Sequence, residues 1–130
     1  MILLDTHAWW WSLSEPERLS KRALKAIRQA KADERAIAAI SIWEFAMMAK
    51  RKRIELKITV DQWLDYAINR TGLKIIELSP KIAIESCDLP GEFHNDPADR
   101  IIVATARVHT LDLITKDKKI IDYPHIMAIW

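Results

Sequence analysis

The stretch Ile2-Leu3-Leu4-Asp5 is apolar for three consecutive residues and then stops on an acid. A strand with one wet face alternates apolar and polar residues. A continuous run reads instead as a strand buried on both faces, the habit of parallel sheets. Asp5, ending such a strand, needs a partner or an open cleft, because a buried carboxylate without either is costly.

Working outward, further strands are expected at Ala36–Ile40, Leu73–Leu78 and Leu111–Thr115, with a fifth at Ile126–Ile129. Helical patterns fill the intervals. One to two turns run from Thr6 to about Leu13. A helix over 17–31 has Leu19, Ala23, Leu24 and Ile27 on one side and Lys21, Arg22, Lys25 and Arg28 on the other. Ser41-Ile42-Trp43-Glu44 has the spacing of a capping box and predicts a helix over 42–51. Thr59-Val60-Asp61-Gln62 repeats it, with a helix to about Asn69 that Gly72 ends. Ser79-Pro80 and Asp96-Pro97 each place proline at a first helical position, the second opening a helix to about Val108. Strands alternating with helices imply right-handed crossovers and a mainly parallel sheet of four to five strands, covered on both faces.

The length, 130 residues, predicts a single domain over 1–130. Half the residues are hydrophobic and 29% are charged, which suits a globular fold with one real core. A net charge of +2 does not by itself predict nucleic-acid binding, so that case must come from where charges sit. Cys87 is the sole cysteine, which excludes an intrachain disulfide and fits a reducing cytoplasm. The opening residues lack a basic region and do not read as a signal peptide. The longest apolar stretch, around Ala36–Ala49, is interrupted by Ser41 and Glu44 and is too short to span a bilayer.

In parallel sheets ligands bind beyond the carboxyl ends of the strands. Asp5, Glu44, Asp96, Asp99 and Asp117 all follow predicted strands or open the helices between them, so they should collect at one edge. Mg2+ and Mn2+ take oxygen ligands, and carboxylates from separate elements supply them. Such an ion can activate water and stabilise charge on a phosphodiester. Each acid also has a structural reading: Glu44 as a capping partner, Asp96 as an N-cap, Asp99 as a complement to the helix dipole. A first-turn acid can do both.

Four blocks of the sequence resemble the acidic blocks of VapC-type PIN domains, in the same order and across essentially the whole chain. They are Leu3-Leu4-Asp5-Thr6-His7-Ala8-Trp9, Ser41-Ile42-Trp43-Glu44, the stretch from His94 to Ala106 containing Asp96-Pro97-Ala98-Asp99-Arg100, and Leu113-Ile114-Thr115-Lys116-Asp117. The resemblance implies a PIN-like three-layer α/β/α sandwich. It implies an endoribonuclease using Mg2+ or Mn2+, with Asp5, Glu44, Asp99 and Asp117 as the catalytic, metal-binding set and Asp96 as an accessory acid. It further implies a small VapB-like antitoxin as inhibitor, and a homodimer. Members often carry a glycine near the end of the Glu44 helix, where this chain reads Lys50-Arg51-Lys52-Arg53.

Other residues carry two readings each. Lys50, Arg51, Lys52 and Arg53 either contact RNA phosphates or form a solvated helix end. Arg100 either clamps a phosphate or pairs with an acid. Thr115 either positions water or RNA at the metal or caps the next turn. Trp9, Trp10 and Trp11 are about 100° apart on a helix, so at least one should reach the surface, where a partner chain would cover it. Trp43 and Trp63 are expected in the core. His7, His94, His109 and His125 lack the spacing of a zinc site, no serine or cysteine has the local context of an activated nucleophile, and no glycine-rich phosphate loop is present. Two rivals remain: a receiver-like Mg2+-binding phosphoacceptor, and a catalytically inactive PIN-like module that only binds RNA or protein. A receiver needs paired acids after its first strand, and Thr6 follows Asp5; a dehalogenase-like phosphatase needs Asp-x-Asp, and His7 stands at the second position.

Overall fold

The computed structural model describes residues 1–130. Five strands, β1 (Ile2–Leu4), β2 (Arg35–Ala38), β3 (Lys74–Ile76), β4 (Asp112–Ile114) and β5 (Ala128–Ile129), form one sheet in the order β3-β2-β1-β4-β5. Every neighbouring pair is parallel, with Leu3 in register with Ala36 on one side and Leu113 on the other. The 2-1-3-4-5 order of receiver domains is a different path, which removes that rival. Helices α1 (Thr6–Ser14), α2 (Lys21–Gln29), α3 (Ile40–Lys50), α4 (Val60–Leu64), α5 (Pro80–Cys87), α6 (Pro97–His109) and α7 (Lys118–Ile121) lie between the strands. α4 continues into a wider π turn over Asp65–Arg70.

Side chains alternate across each strand, so the sheet feeds two cores. Leu4, Ile37 and Ile114 pack with Trp9, Phe45 and Trp63 from α1, α3 and α4. Leu3, Ala36, Ala38 and Leu113 pack with Ile82, Ile102, Val103 and Tyr123 on the opposite face. That the strands are short apolar runs follows directly, since both faces are covered. In the first core Phe45 stacks on Trp63 with ring centroids 4.0 Å apart, and Trp9 meets Trp63 edge-on at 4.9 Å. Truncating Trp63 would cost about 3–5 kcal/mol by the usual scale for buried aromatics.

Several local expectations are corrected. The helix expected over 17–31 is broken: Pro16–Arg18 forms a 3-10 turn, Leu19 is extended, and α2 begins only after Ser20. Ser20 Oγ accepts from Ala23 N at 3.0 Å, so a polar residue inside the amphipathic pattern serves as an N-cap. The Ser41–Glu44 capping box does not form. α3 starts earlier, with Ala39 at its N-cap, and Ser41 is fully buried. The Thr59–Gln62 box does form, both bonds at 3.1 Å. Trp63 is buried as expected, but Trp43 is 56% exposed. Trp9 and Trp10 are buried and Trp11 only half-buried, as the helical spacing required. At the end of α3, where members of the family often carry a glycine, Lys52 adopts a left-handed φ of 55°. No helix is long and apolar enough to cross a membrane.

Candidate active site

Chain connections leave β1 and β4 in opposite directions across the sheet, so the two strands flank a crevice at their carboxyl ends. Asp5 follows β1 and is 9% exposed. Its backbone N–H donates to Ile114 O at 3.0 Å, which locks it against β4. Its Oδ1 caps α1 by accepting from Ala8 N at 2.7 Å, and its Oδ2 accepts from Thr115 Oγ1 at 2.5 Å. Thr115, fully buried at the end of β4, also accepts from Asp117 N at 3.1 Å. One hydroxyl therefore ties the acids after β1 and β4 together: Thr115 caps the turn, as one of its two readings had it, and also holds Asp5.

Glu44 reaches the same crevice from α3. Thr6 Oγ1 donates to Glu44 Oε1 at 2.6 Å and lies 2.9 Å from Ser41 Oγ. Thr6, to which the sequence reading gave no role of its own, is thus what draws Ser41 and Glu44 away from their capping geometry. Asp96 caps α6 by accepting from Asp99 N at 3.0 Å, and Asp99 sits in the first turn it opens. Asp117 caps α7 through Oδ1, which accepts from Lys119 N at 2.9 Å.

The acids feel one another. Burial, then the negative charges of Asp96, Asp117, Glu44 and Asp5, push the Asp99 carboxyl up to about 7. Burial likewise raises Asp5 and Glu44, against the hydrogen bonds from Thr115 and Thr6 that pull them down. No Lys or Arg forms an ion pair with any of these carboxylates. Desolvated like charges without a cation are what a divalent ion corrects. Asp99, Asp117 and His94 present ligand atoms within 4.8 Å of one another and could hold such an ion; Asp5 and Glu44 are not in that group, though their charges still reach Asp99.

The remaining candidates separate. Arg100 forms no ion pair with an acid. Its Nε donates to Ser86 O at 2.8 Å and its Nη1 to Phe93 O and His94 O at 2.9 and 3.2 Å. Lys50–Arg53 lie at the far end of α3, and only Arg53 lines a groove, of about 1080 Å³, with Trp10, Trp11, Leu56 and Trp63. His94, without ligand spacing in the sequence, lies 3.2 Å from Asp99 Oδ2. Its only sequence signal is its place two residues before Asp96.

The sequence matches the PIN domain family over residues 2–126. It is 43% identical over 132 residues to Ribonuclease VapC22 of Mycobacterium tuberculosis, spanning 99% of this chain and 98% of that protein. Among solved structures it resembles a toxin–antitoxin complex from Klebsiella pneumoniae, with a TM-score of 0.70 and 27% identity over 98% of this chain and 96% of that one. VapBC2 from Rickettsia felis, bound to a promoter DNA fragment, shares the fold at a TM-score of 0.68 and 20% identity, over 98% and 97% of the two chains. With its acids gathered at the β1–β4 crevice and a family match over nearly its whole length, the chain belongs to the PIN domain family, among relatives of the VapC type.

Proposed function

We propose that this chain, as one catalytic unit over 1–130, is a metal-dependent endoribonuclease and the toxin half of a toxin–antitoxin pair, acting in the cytoplasm. The observation that carries the proposal is the uncompensated cluster of Asp5, Glu44, Asp96, Asp99 and Asp117, with Asp99 raised to about 7 by burial and by its acidic neighbours. Asp5, Glu44, Asp99 and Asp117 are the residues to hold Mg2+ or Mn2+. A bound divalent ion would supply Lewis acidity toward a phosphodiester and lower the pKa of a water. The chain's own residues do the rest. Thr115 and the α1 N-terminus orient Asp5 through its two oxygens. Thr6 donates to Glu44 Oε1 and fixes that carboxylate, leaving Oε2 free to serve the ion. RNA is the substrate class that the ribonuclease relative suggests.

An inhibitor is required by the same logic, since an unrestrained nuclease damages its host. The groove beside α1, lined by Trp10, Trp11, Ile54, Leu56 and Ile58, offers an apolar seat for a small antitoxin. A basic side chain from that partner would complement the acids. The test is cleavage of an RNA mixture in Mn2+ or Mg2+, in EDTA, and by Asp5→Asn. Cleavage that needs the cation and Asp5 supports the proposal; full activity in EDTA overturns it. For the toxin role, expression should arrest growth and co-expression of a small reading frame beside the gene should relieve it. Harmless expression of the active enzyme would defeat that part alone.

A further inference from the structure

Trp11 is only half-buried, and cations gather around its indole. Arg18 Cζ lies 5.9 Å and Lys116 Nζ 5.8 Å from the ring centroid, at the outer limit of a cation–π pair, about 6 Å. The His7 imidazole is 5.4 Å away, its plane tilted by 49°. All three side chains belong to exposed residues. Arg18 shares Glu15 at 3.3 Å, and Lys116 has no acid partner. The same indole lines the groove of about 1080 Å³ beside α1, together with His7, Arg18, Arg53 and Lys57.

This patch adjoins the acid crevice. His7 follows Asp5 by two residues, and Lys116 lies between Asp117 and Thr115, which holds Asp5 Oδ2. RNA is a polyanion, and a crevice of uncompensated acids repels it. Cations at the rim are what draw its backbone in. An apolar segment seated on Trp11 would leave Lys116 without a counter-charge. A nucleotide supplies both halves at once, a π face for the indole and a phosphate for the cations.

We propose that Trp11 is a platform on which one base of single-stranded RNA stacks, with Arg18 and Lys116 receiving the flanking phosphates; the inference rests on the ribonuclease reading of the acid cluster. Both cations stand off the ring on exposed side chains, free to turn toward phosphates as the base comes down. A base in a duplex stays stacked on its neighbours, so the platform selects unpaired RNA. An antitoxin seated in the groove would cover the ring and exclude the substrate.

The test is binding of a fluorescent single-stranded RNA of mixed sequence by the full chain in EDTA, where a metal-dependent nuclease leaves it intact. The same RNA annealed to its complement is the control. Trp11→Leu keeps apolar bulk against the core and removes the π face. It should bind the single strand about tenfold or more weakly, and the duplex as the unaltered chain does. Trp11→Phe should restore most of the affinity. Arg18→Gln and Lys116→Gln should each make the slope of log affinity against log salt shallower by roughly 0.7. In Mn2+, Trp11→Leu should raise KM for the single strand more than it lowers kcat. Unchanged affinity and KM in the folded Trp11→Leu chain overturn the platform and give the ring to a protein partner. Equal loss for single strand and duplex overturns it too, and either result leaves the ribonuclease reading standing. An unaltered chain that neither binds nor cleaves RNA removes that reading, and the platform with it.

Discussion

Asp99→Asn removes one charge from the acid cluster and little else. Its backbone N–H still caps onto Asp96, and the amide oxygen still faces His94 Nε2. In the parent chain the Asp99 carboxyl rises from 3.8 to about 7. A shift of that size corresponds to a ceiling of roughly 4 kcal/mol of unfavourable interaction in the charged form. Asp99 keeps 23% of its side chain exposed, and water and relaxation screen part of the repulsion. About 1–2 kcal/mol is the expected remainder. The sign with pH follows from proton binding. Between about pH 4 and 7 the folded chain holds a proton at Asp99 that the unfolded chain has released, so stability is lost as pH rises through that window. In EDTA at pH 8, Asp99→Asn should therefore be more stable than the parent by about 1–2 kcal/mol, a Tm higher by several degrees. At pH 5 the gap should nearly close, because the parent carboxyl is then protonated. In Mn2+ the order should reverse, since the parent gains binding energy that the amide forgoes. Thermal melts of both proteins at the two pH values, with and without Mn2+, read all of this. A variant less stable than the parent at pH 8 in EDTA, or a gap that ignores pH, would refute the account of a buried, repelled charge at Asp99.

Two other outcomes are expected. Glu44→Gln keeps an oxygen for Thr6 to donate to, so in EDTA stability should change by less than about 1 kcal/mol while RNA cleavage collapses; surviving activity with lost stability would make Glu44 structural. Lys52→Gly relieves a left-handed φ of 55° at the end of α3 and should stabilise the chain by up to about 1 kcal/mol in urea unfolding with activity retained, whereas a loss would mean that the lysine side chain does something the backbone geometry does not reveal.

The strands and the acids were legible because each is signalled locally. An unbroken apolar run such as Ile2-Leu3-Leu4 means burial on both faces, and an acid directly after it, as at Asp5, marks the strand end that opens onto a cleft. The capping motifs at Thr59, Ser79 and Asp96 are local as well, and all three form. What the sequence hid depends on residues far away in the chain. Ser41 and Glu44 satisfy the capping pattern, yet Thr6, 35 residues before Ser41, claims both. Nothing local in the sequence shows that the Arg100 guanidinium meets the carbonyls of Ser86 and Phe93. Trp43 looks like core because α3 is apolar on most sides, and no periodicity tells which side meets the sheet.

The choice between capping and chemistry, open for each acid in the sequence, dissolves in the structure because a carboxylate has two oxygens. Asp5, Asp96 and Asp117 each spend Oδ1 on a backbone N–H at the start of α1, α6 and α7. Asp117 Oδ2 is left for the crevice, and Asp5 Oδ2 is steered by Thr115. A side-chain N-cap contributes about 0.5–2 kcal/mol, and an acid near a helix N-terminus about 0.3–1 kcal/mol. Those favourable terms offset part of the burial cost and repulsion that raise Asp5, Glu44 and Asp99. The positive ends of helices thus hold together, without any lysine or arginine, a group of acids that would otherwise separate. A salt bridge would have neutralised the same charge and filled the space that the proposed cation would take. Capping stabilises each carboxylate through one oxygen and leaves the shared space open. An amide at these positions should therefore keep the fold and lose the chemistry: the cap needs only an oxygen acceptor, and a cation needs the charge.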